Sequence, residues 1–402
     1  MVKLLVTLLK PRAGMRIYDP TTGSGGMLIQ TRGYLESQGE NAANLSLYGQ
    51  EMNLNTWAIC KMNMFLHGVQ SADIRKGDTL REPKHTQGGE LMTFDRVIAN
   101  PPFSLKKWGK EECDSDGFAR FPYGTPPKDA GDLAFVQHMI ASTNAEGMVG
   151  VVMPHGVLFR GSSEKAIRQG ILQDDLLEAV IGLPSGLFYG TGIPACLLVI
   201  NKNKSAERKG KVLFINAELD YQEGKNQNVL RQQDLDKIVA AFDAYQDIKR
   251  YAKVVELAEI EANDFNLNIR RYADTSPPAE IFDVRAILHG GVPVREVEED
   301  YIREEILGDF DVSLVFDVKS DMKGMINTDE RYYAFKPKIE SKEALREFIL
   351  ENAPTDTDVD SKVITQLERW WDKYQVSLHE LDQQVQDAEQ VMQGYLKELG
   401  YE

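Results

Sequence analysis

Short apolar runs, each closed by a polar, acidic or glycine-rich stretch, dominate the first two thirds of the chain. Most have the length of strands rather than helices. Ile17-Tyr18-Asp19, Leu45 to Glu51, Ala72 to Leu80 and Phe94 to Ala99 read as strands whose polar residues gather at their ends. Met148 to Met153, Leu176 to Leu183, Ala195 to Asn201 and Lys211 to Ala217 continue the series. Helical stretches alternate with them: Val2 to Leu9 as a core helix, a helix opened by Met27-Leu28-Ile29, Leu133 to Ile140, Glu164 to Leu172 and Asn228 to Tyr251. Strands alternating with helices predict an α/β fold, with a doubly wound, mostly parallel sheet of about seven strands.

The pattern changes at Thr275-Ser276-Pro277-Pro278, a linker signal followed by an acidic stretch. Asp356-x-Asp358-x-Asp360 has the opening spacing of a calcium loop, yet Ser361 stands where a glycine is needed and Leu367 where a bidentate Glu is needed. It reads as a solvated turn. Near the C-terminus Leu367, Tyr374, Leu381, Ala388 and Tyr395 recur every seven residues, as do Trp371, Leu378, Val385, Met392 and Leu399. Two such series make an apolar seam that buries itself against another helix, either within its own domain or, the preferred expectation, on another subunit. The expected domains are therefore 1–274, an acidic module over 275–360, and a heptad-patterned helix over 361–402.

Composition narrows the function classes. The chain has 402 residues, 46 basic and 62 acidic, for a net charge of −16. Such a balance argues against strong autonomous binding to nucleic acid, where phosphate contacts dominate affinity. Cys60, Cys113 and Cys196 lie far apart with no C-x-x-C spacing, so neither a disulfide framework nor a zinc site is indicated, and a cytoplasmic location fits. Val2 to Leu9 is too short to span a membrane.

Candidate chemistry concentrates at Asn100-Pro101-Pro102-Phe103, directly after an apolar strand. Two prolines fix two φ angles and remove two donors, which leaves a stiff turn presenting carbonyl oxygens. The Asn100 amide oxygen and the Pro101 carbonyl suit the two hydrogens of a planar amino group, and Phe103 offers a face for stacking. Acceptors pulling on both hydrogens favour the pyramidal, nucleophilic form of the amine, as amino-group methylation requires. Asn-Pro-Pro is also an ordinary rigid turn, so the motif alone leaves both readings open.

Upstream, Asp19-Pro20-Thr21-Thr22-Gly23-Ser24-Gly25-Gly26-Met27-Leu28 joins a strand end to a helix start through glycines that permit close ligand approach. Leu28 stands where a dinucleotide fingerprint has its third glycine, and the Gly-Lys-Ser/Thr of a phosphate loop is absent. Glu51 ends the second strand, where a carboxylate can chelate a ribose diol. Asp78, near the third strand end, can accept from an adenine amino group. Each has a plainer reading too: Asp19 as a helix cap, Glu51 as a solvated residue at a helix start, Asp78 as a turn former.

Together, Asp19-Pro20-x-x-Gly23-Ser24-Gly25-Gly26 and Asn100-Pro101-Pro102-Phe103 resemble the amino-methylating DNA adenine methyltransferases, specifically the modification subunits of type I restriction-modification systems. Asp132 to His138, Val152 to Gly161, Val180 to Pro194 and Asn263 to Asn268 extend the resemblance over roughly residues 2 to 274. It implies a sheet of the S-adenosylmethionine-dependent methyltransferase type, S-adenosylmethionine as methyl donor and an adenine flipped out of duplex DNA as acceptor. Asp19, Thr21, Gly23, Ser24, Gly25 and Gly26 would then face the methionine part of the cofactor, Glu51 its ribose and Asp78 its adenine. Asn100, Pro101, Pro102 and Phe103 would hold the target base, with no metal. Partners implied are a specificity subunit, on which the heptad seam would dock, with a second modification subunit and a restriction subunit. Family members carry a Phe-Thr-Pro segment and a helical domain ahead of the helix at Val2, so weak cofactor binding by this chain alone is expected. The long stretch from Ser104 to Gly131 holds Lys106, Lys107, Lys110, Arg120 and Lys128 among Trp108, Phe118, Phe121 and Tyr123, and is expected to clamp DNA. Glu111, Glu112, Asp114 and Asp116 dilute its charge, leaving a solvated loop as the other reading. A protein glutamine or RNA amino-methyltransferase, or a silent assembly subunit, are the competing functions.

Overall fold

The computed structural model describes residues 1–188, 192–225, 227–276, 282–319, 331–352 and 361–398, and the chain divides into two compact units at Ser276 and Pro277. The first unit is built on nine strands: β1 (Arg16–Asp19), β2 (Ser46–Glu51), β3 (Asp73–Lys76), β4 (Phe94–Ala99), β5 (Thr143–Pro154), β6 (Leu177–Gly182), β7 (Ala195–Asn201), β8 (Lys211–Asn216) and β9 (Ala252–Glu256). Their spatial order is β9-β8-β6-β7-β5-β4-β1-β2-β3. The β1–β2, β2–β3, β1–β4, β4–β5 and β6–β8 pairs are parallel. β7 runs antiparallel between β5 and β6, and β9 runs antiparallel on the β8 edge.

Two strands exceed the expected seven. The eighth is visible as an apolar run, but β9 is not: its sequence Ala-Lys-Val-Val-Glu is short, half-polar and lies just past the stretch read as a helix. That helix is also shorter than expected, covering Gln232–Ala244 and stopping where Tyr245 turns left-handed at φ 47°.

Successive residues of the central strands feed opposite faces. Ile17 and Ile98 join the core beneath helices α1 (Val2–Leu9) and α2 (Gly26–Ser37), whereas Tyr18 and Val97 join the core beneath α4 (Asp132–Ala141) and α5 (Ser162–Gln173). Helix α3 (Leu54–Leu66) lies between β2 and β3 in the chain, and Gln232–Ala244 is α6. A sheet covered on both faces explains why its strands read as continuous apolar runs. In α1, Leu4, Leu5, Leu8 and Leu9 are all buried, at about 2 kcal/mol of apolar burial each, as a core helix requires. Among the described residues no helix is long and apolar enough to cross a membrane.

The strand order reverses at β1. Its connections lead outward to β2 and β3 on one side, while β4 and β5 lie on the other. Open α/β sheets form their ligand crevice at the carboxyl ends of the strands flanking such a reversal, here β1 and β4.

The second unit has a core of its own, from Ala286 and Val292 through Phe316, Tyr332, Phe335, Leu345 and Leu367 to Trp370 and Tyr374. Strands β10 (Val292–Pro293), β11 (Phe316–Val318) and β12 (Tyr332–Phe335) form an antiparallel sheet with β12 central, and α8 (Lys342–Asn352) follows. A short α7 (Val284–His289) precedes it. The acidic module is thus folded where it is described. The expected single heptad helix is two helices, α9 (Ser361–Tyr374) and α10 (Leu378–Glu398). The break is a capping box: Ser377 Oγ accepts from the Glu380 N–H at 3.2 Å, and the Glu380 carboxylate accepts from the Ser377 N–H at 2.9 Å. The Ser-x-x-Glu signature sits in the sequence but is masked by unbroken heptad spacing. In α9, Val363, Leu367, Trp370 and Tyr374 are buried in their own unit's core, so this half of the seam is not open to another subunit, contrary to expectation. In α10, Leu378, Leu381, Val385, Met392 and Tyr395 are exposed. The Asp356-x-Asp358-x-Asp360 stretch, Pro277-Pro278 and Leu399 lie outside the described residues.

Candidate active site

Asp19 ends β1 and is almost fully buried. Its Oδ1 accepts from the Thr21 N–H at 2.9 Å, so it turns the chain locally and does not cap α2. Burial, reinforced by the nearby Glu51 charge, pushes the Asp19 carboxyl up to about 7. Thr22, also buried, donates from its hydroxyl toward the Asp19 carbonyl at 3.0 Å and the Gln50 carbonyl at 3.1 Å, and its N–H donates to Gln50 at 3.0 Å. The loop is thereby fastened to both β1 and β2.

Glycines then serve two needs. Gly25 caps α2 at φ 85°, an angle that favours glycine, and a Cβ there would also push against the Met64 tip and Cys60 Sγ, at 2.5 and 3.0 Å. Gly26 faces open space, with nothing within 4 Å of a Cβ placed on it. α2 therefore starts with unshielded N–H groups at its positive end. The Ser24 carbonyl accepts from Asn63 Nδ2 at 2.9 Å, a second tie to α3.

Glu51 spans the loop and the next helix. One carboxylate oxygen accepts from the Gly23 N–H at 3.0 Å, the other from the Asn53 N–H at 2.8 Å. Asn53 in turn caps α3 through the N–H groups of Asn55 and Thr56. Asp78 matches its plainer reading in part: Oδ1 accepts from Leu80 and Arg81 N–H groups at 3.0 and 3.2 Å, as turn-forming Asp does. The neighbouring Thr79 hydroxyl donates to the Pro20 carbonyl at 2.6 Å, tying the turn after β3 to the loop after β1. Asp19, Glu51 and the Asp78 turn are thus drawn to one edge of the sheet.

Asn100 follows β4 at that same edge, one strand along, since Ile17 pairs with Arg96 and Tyr18 with Val97. The Asn100 side chain is exposed, Pro101 is buried and Phe103 is half-buried. Among the described residues neither the Asn100 amide nor the Pro101 carbonyl is engaged in a hydrogen bond, so both acceptors are free for a ligand. Behind them the turn is pinned: Ser104, left-handed at φ 50°, donates its N–H to Asp132 Oδ1 at 2.7 Å. Asp132 is buried and its other oxygen pairs with Arg160 at 3.1 Å. Phe188 meets Phe103 edge-on, with ring centroids 5.9 Å apart. Sequence reasoning assigned no role to Phe188, Thr22, Thr79 or Asp132; all four lie in or beside the quoted motifs, but only tertiary contacts reveal what they hold.

In the Ser104 to Gly131 stretch, expected to clamp DNA, three of the five cations are engaged within the protein. Arg120 is buried, paired with Asp116 at 2.7 Å, and donates to the Thr79 and Leu80 carbonyls at 3.1 and 2.8 Å. It fastens the loop to the turn after β3 from within the interior. Trp108 is likewise core, packed with Leu80, Cys113 and Phe135, with its Nε1 donating to the Pro127 carbonyl. Lys110 is held by Asp114 and Thr125, and Lys128 by Glu111. Lys106 and Lys107 are the exposed cations of the stretch without a carboxylate partner among the described residues. The three cysteines are buried and free.

Comparison with known proteins gives the family of the chain. The model of a family described as N-6 DNA Methylase matches residues 1–280. The chain is 37% identical over 318 residues to the type I restriction enzyme MjaVII methylase subunit of Methanocaldococcus jannaschii, covering 76% of this chain and 54% of that one. It is 36% identical over 285 residues to the HindI methylase subunit of Haemophilus influenzae, covering 68% and 62%. Among solved structures, a type I restriction-modification methyltransferase subunit from Streptococcus thermophilus superposes with a TM-score of 0.63 at 35% identity, covering 68% of this chain and 58% of that one. The chain spans about half to three fifths of the length of the curated relatives it matches. With a doubly wound sheet, a glycine loop after β1 and Asn-Pro-Pro-Phe after β4, this chain belongs to the N-6 DNA methylase family.

Proposed function

We propose that the chain is the modification subunit of a type I restriction-modification system, transferring a methyl group from S-adenosylmethionine to the N6 amino group of an adenine flipped out of duplex DNA. The observation that carries the reading is the meeting of two free acceptors, Asn100 and Pro101, with the glycine loop of Asp19 to Gly26 on adjacent strands at the reversal point of the sheet.

The residues present fit the cofactor. The open space over Gly26 leaves room at the start of α2, and the buried Asp19 beside Glu51 is an acidic site that a ligand bearing sulfonium and ammonium cations would complement. Bound there, S-adenosylmethionine supplies an electrophilic methyl group. Asp19, Thr21, Gly23, Ser24, Gly25 and Gly26 would hold its methionine end, Glu51 the ribose and Asp78 the adenine. On the acceptor side, Asn100 Oδ1 and the Pro101 carbonyl would accept hydrogen bonds from the two hydrogens of the target amine. One of these leaves to solvent as a proton once the nitrogen has taken the methyl group and the cofactor sulfur has become a neutral thioether. The Phe103 ring would stack on the base. Phe188 packs edge-on against that ring, while Asp132 fixes the turn so that the acceptors need not reorganise during transfer. Holding the reactants in one geometry supplies much of the rate enhancement. Transfer of labelled methyl groups to DNA, with and without a specificity subunit, tests the reading; no label in DNA in either case would favour the silent assembly subunit.

DNA engagement falls to fewer residues of the 104–131 stretch than its composition suggested. Lys106 and Lys107 remain as candidates for the phosphate backbone. In the assembled complex, Lys106→Ala with Lys107→Ala should reduce the slope of log affinity against log salt by roughly 0.9 for each phosphate left unneutralised. An unchanged slope would remove both residues from the DNA surface.

The partner is a specificity subunit whose helices cover the exposed α10 seam. The five apolar positions at heptad spacing, all open on the described helix, support this docking. Deleting residues 378–402 should abolish association while leaving the melting of the second unit unchanged, because α9 supplies the core residues. Intact association would place the docking surface elsewhere. A second modification subunit and a restriction subunit complete the proposed assembly, in the cytoplasm, where buried free thiols stay reduced.

A further inference from the structure

Beyond the end of β5, a cavity of about 400 Å³ opens between the start of α5 and the turn at Asn263 to Asn266. Lys165, Arg168, Arg271, Asn263 and Asn266 line it, with Asp264 at the wall. In a chain of net charge −16 this gathering of three cations with one carboxylate stands out. Lys165 is paired with Asp264. Arg271 donates to the neutral amide oxygen of Asn263 at 2.8 Å.

Arg168 is the informative member. It is 5% exposed, and its Nε and Nη1 donate to the carbonyls of Phe265, Val157 and Arg160 at 2.7 to 3.3 Å. None of those is a carboxylate, and Nη2 has no hydrogen-bond partner among the described residues. The Glu164 and Asp264 carboxylates lie near its charge without hydrogen-bonding it, so this buried guanidinium, with one nitrogen unpartnered among the described residues, keeps the capacity to bind a further anion at the cavity it lines. Two further features point the same way. The N-cap of α5 is Gly161, which lines the cavity and offers no side-chain cap, so first-turn N–H groups remain available. The opposite wall is strained, with Asp264 at φ 60° and Phe265 at φ 53°, a conformation unfavourable for Phe that clusters at ligand clamps.

The position matters as much as the chemistry. β5 pairs with β4, Ala99 against Val151, and the chain leaving β5, next to the strand that leads to Asn100, reaches the cavity wall at Phe159 and Gly161. A hydrogen-bonded relay joins the two: Ser104 to Asp132, Asp132 to Arg160, and the Arg160 carbonyl to Arg168. We propose that this cavity seats a phosphodiester group of the DNA backbone beside the flipped adenine, held by Arg168, Arg271 and Lys165. This assignment rests on the DNA methylation reading and adds to it a backbone clamp that fixes the extruded nucleotide.

The test uses the complex with its specificity subunit, a fluorescent duplex and a salt series, comparing wild type with Lys165→Gln/Arg271→Gln. Both side chains are outside the core, and melting temperature checks that the variant folds. The expected result is weaker binding and a salt slope smaller by up to roughly 0.9, the contribution of the one phosphate that loses its clamp. An equal slope in a wild type that methylates the duplex would overturn the clamp and leave the methylation reading standing. Stabilisation of wild type but not the variant by millimolar inorganic phosphate, with equal DNA slopes, would make this a free-anion site and overturn the clamp as well. A wild-type complex that neither binds nor methylates the duplex would overturn both.

Discussion

Asn100→Ala will reduce methyl transfer by at least about 10²- to 10³-fold while leaving the melting temperature and cofactor affinity near wild type. The separation of effects follows from the geometry. The Asn100 side chain is exposed and makes no internal hydrogen bond among the described residues, so removing it takes nothing from the fold. Pro101, Pro102 and the Asp132 anchor at Ser104 keep the turn in place. What disappears is one of two acceptors aimed at the reacting amine, an interaction that strengthens as the nitrogen becomes pyramidal and so acts on kcat rather than on ground-state binding. Single-turnover transfer with parallel melting curves checks this. A variant that unfolds, or one that keeps wild-type turnover, contradicts the assigned role.

Asp19→Asn will raise the stability of the free chain and weaken cofactor binding together. The carboxyl is lifted to about 7 in the folded chain, chiefly by burial, from an ordinary value of 3.8. The folded state therefore binds more protons than the unfolded state between those values, and stability falls as pH rises from about 4 to about 7. At about 1.4 kcal/mol per unit, the full effect is roughly 4 kcal/mol, spread over the interval and complete above it. Asn keeps an acceptor for the Thr21 N–H and removes the ionisation, so the variant loses this pH slope and gains most above neutrality. A cationic ligand prefers the ionised carboxylate. In the wild type, affinity for S-adenosylmethionine should rise as pH approaches about 7 and then level, with proton release on binding below that point; in Asp19→Asn both dependences vanish. Calorimetry in two buffers of different ionisation enthalpy, alongside melting across the same pH range, measures both.

The core elements were legible because doubly wound sheets bury both faces of each strand. Ile17-Tyr18 and Val97-Ile98 each feed both cores, and such runs stand out in any window. β9 escaped notice because an antiparallel edge strand with Lys253 and Glu256 carries little apolar signal. The site motifs were legible for a different reason: positive-φ glycines and paired prolines are backbone constraints written directly in residue type. Arg120 shows where such reading stops. Its charge suggested a solvent-facing role, and nothing local reveals that Asp116 and two carbonyls draw it into the interior. The C-terminal heptads failed likewise, since spacing gives a buried stripe without saying which partner buries it. Leu367 and Tyr374 turn inward on their own unit, while Leu381 and Tyr395, in the same register, remain open.

The central claim is the identity of the methyl acceptor. The chain, assembled with a specificity subunit, should be incubated with labelled S-adenosylmethionine and duplex DNA, and the DNA digested to nucleosides for mass spectrometry. The account predicts label in N6-methyladenine, abolished by Asn100→Ala. Label in a protein glutamine, in RNA or in cytosine, with none in adenine, would contradict it.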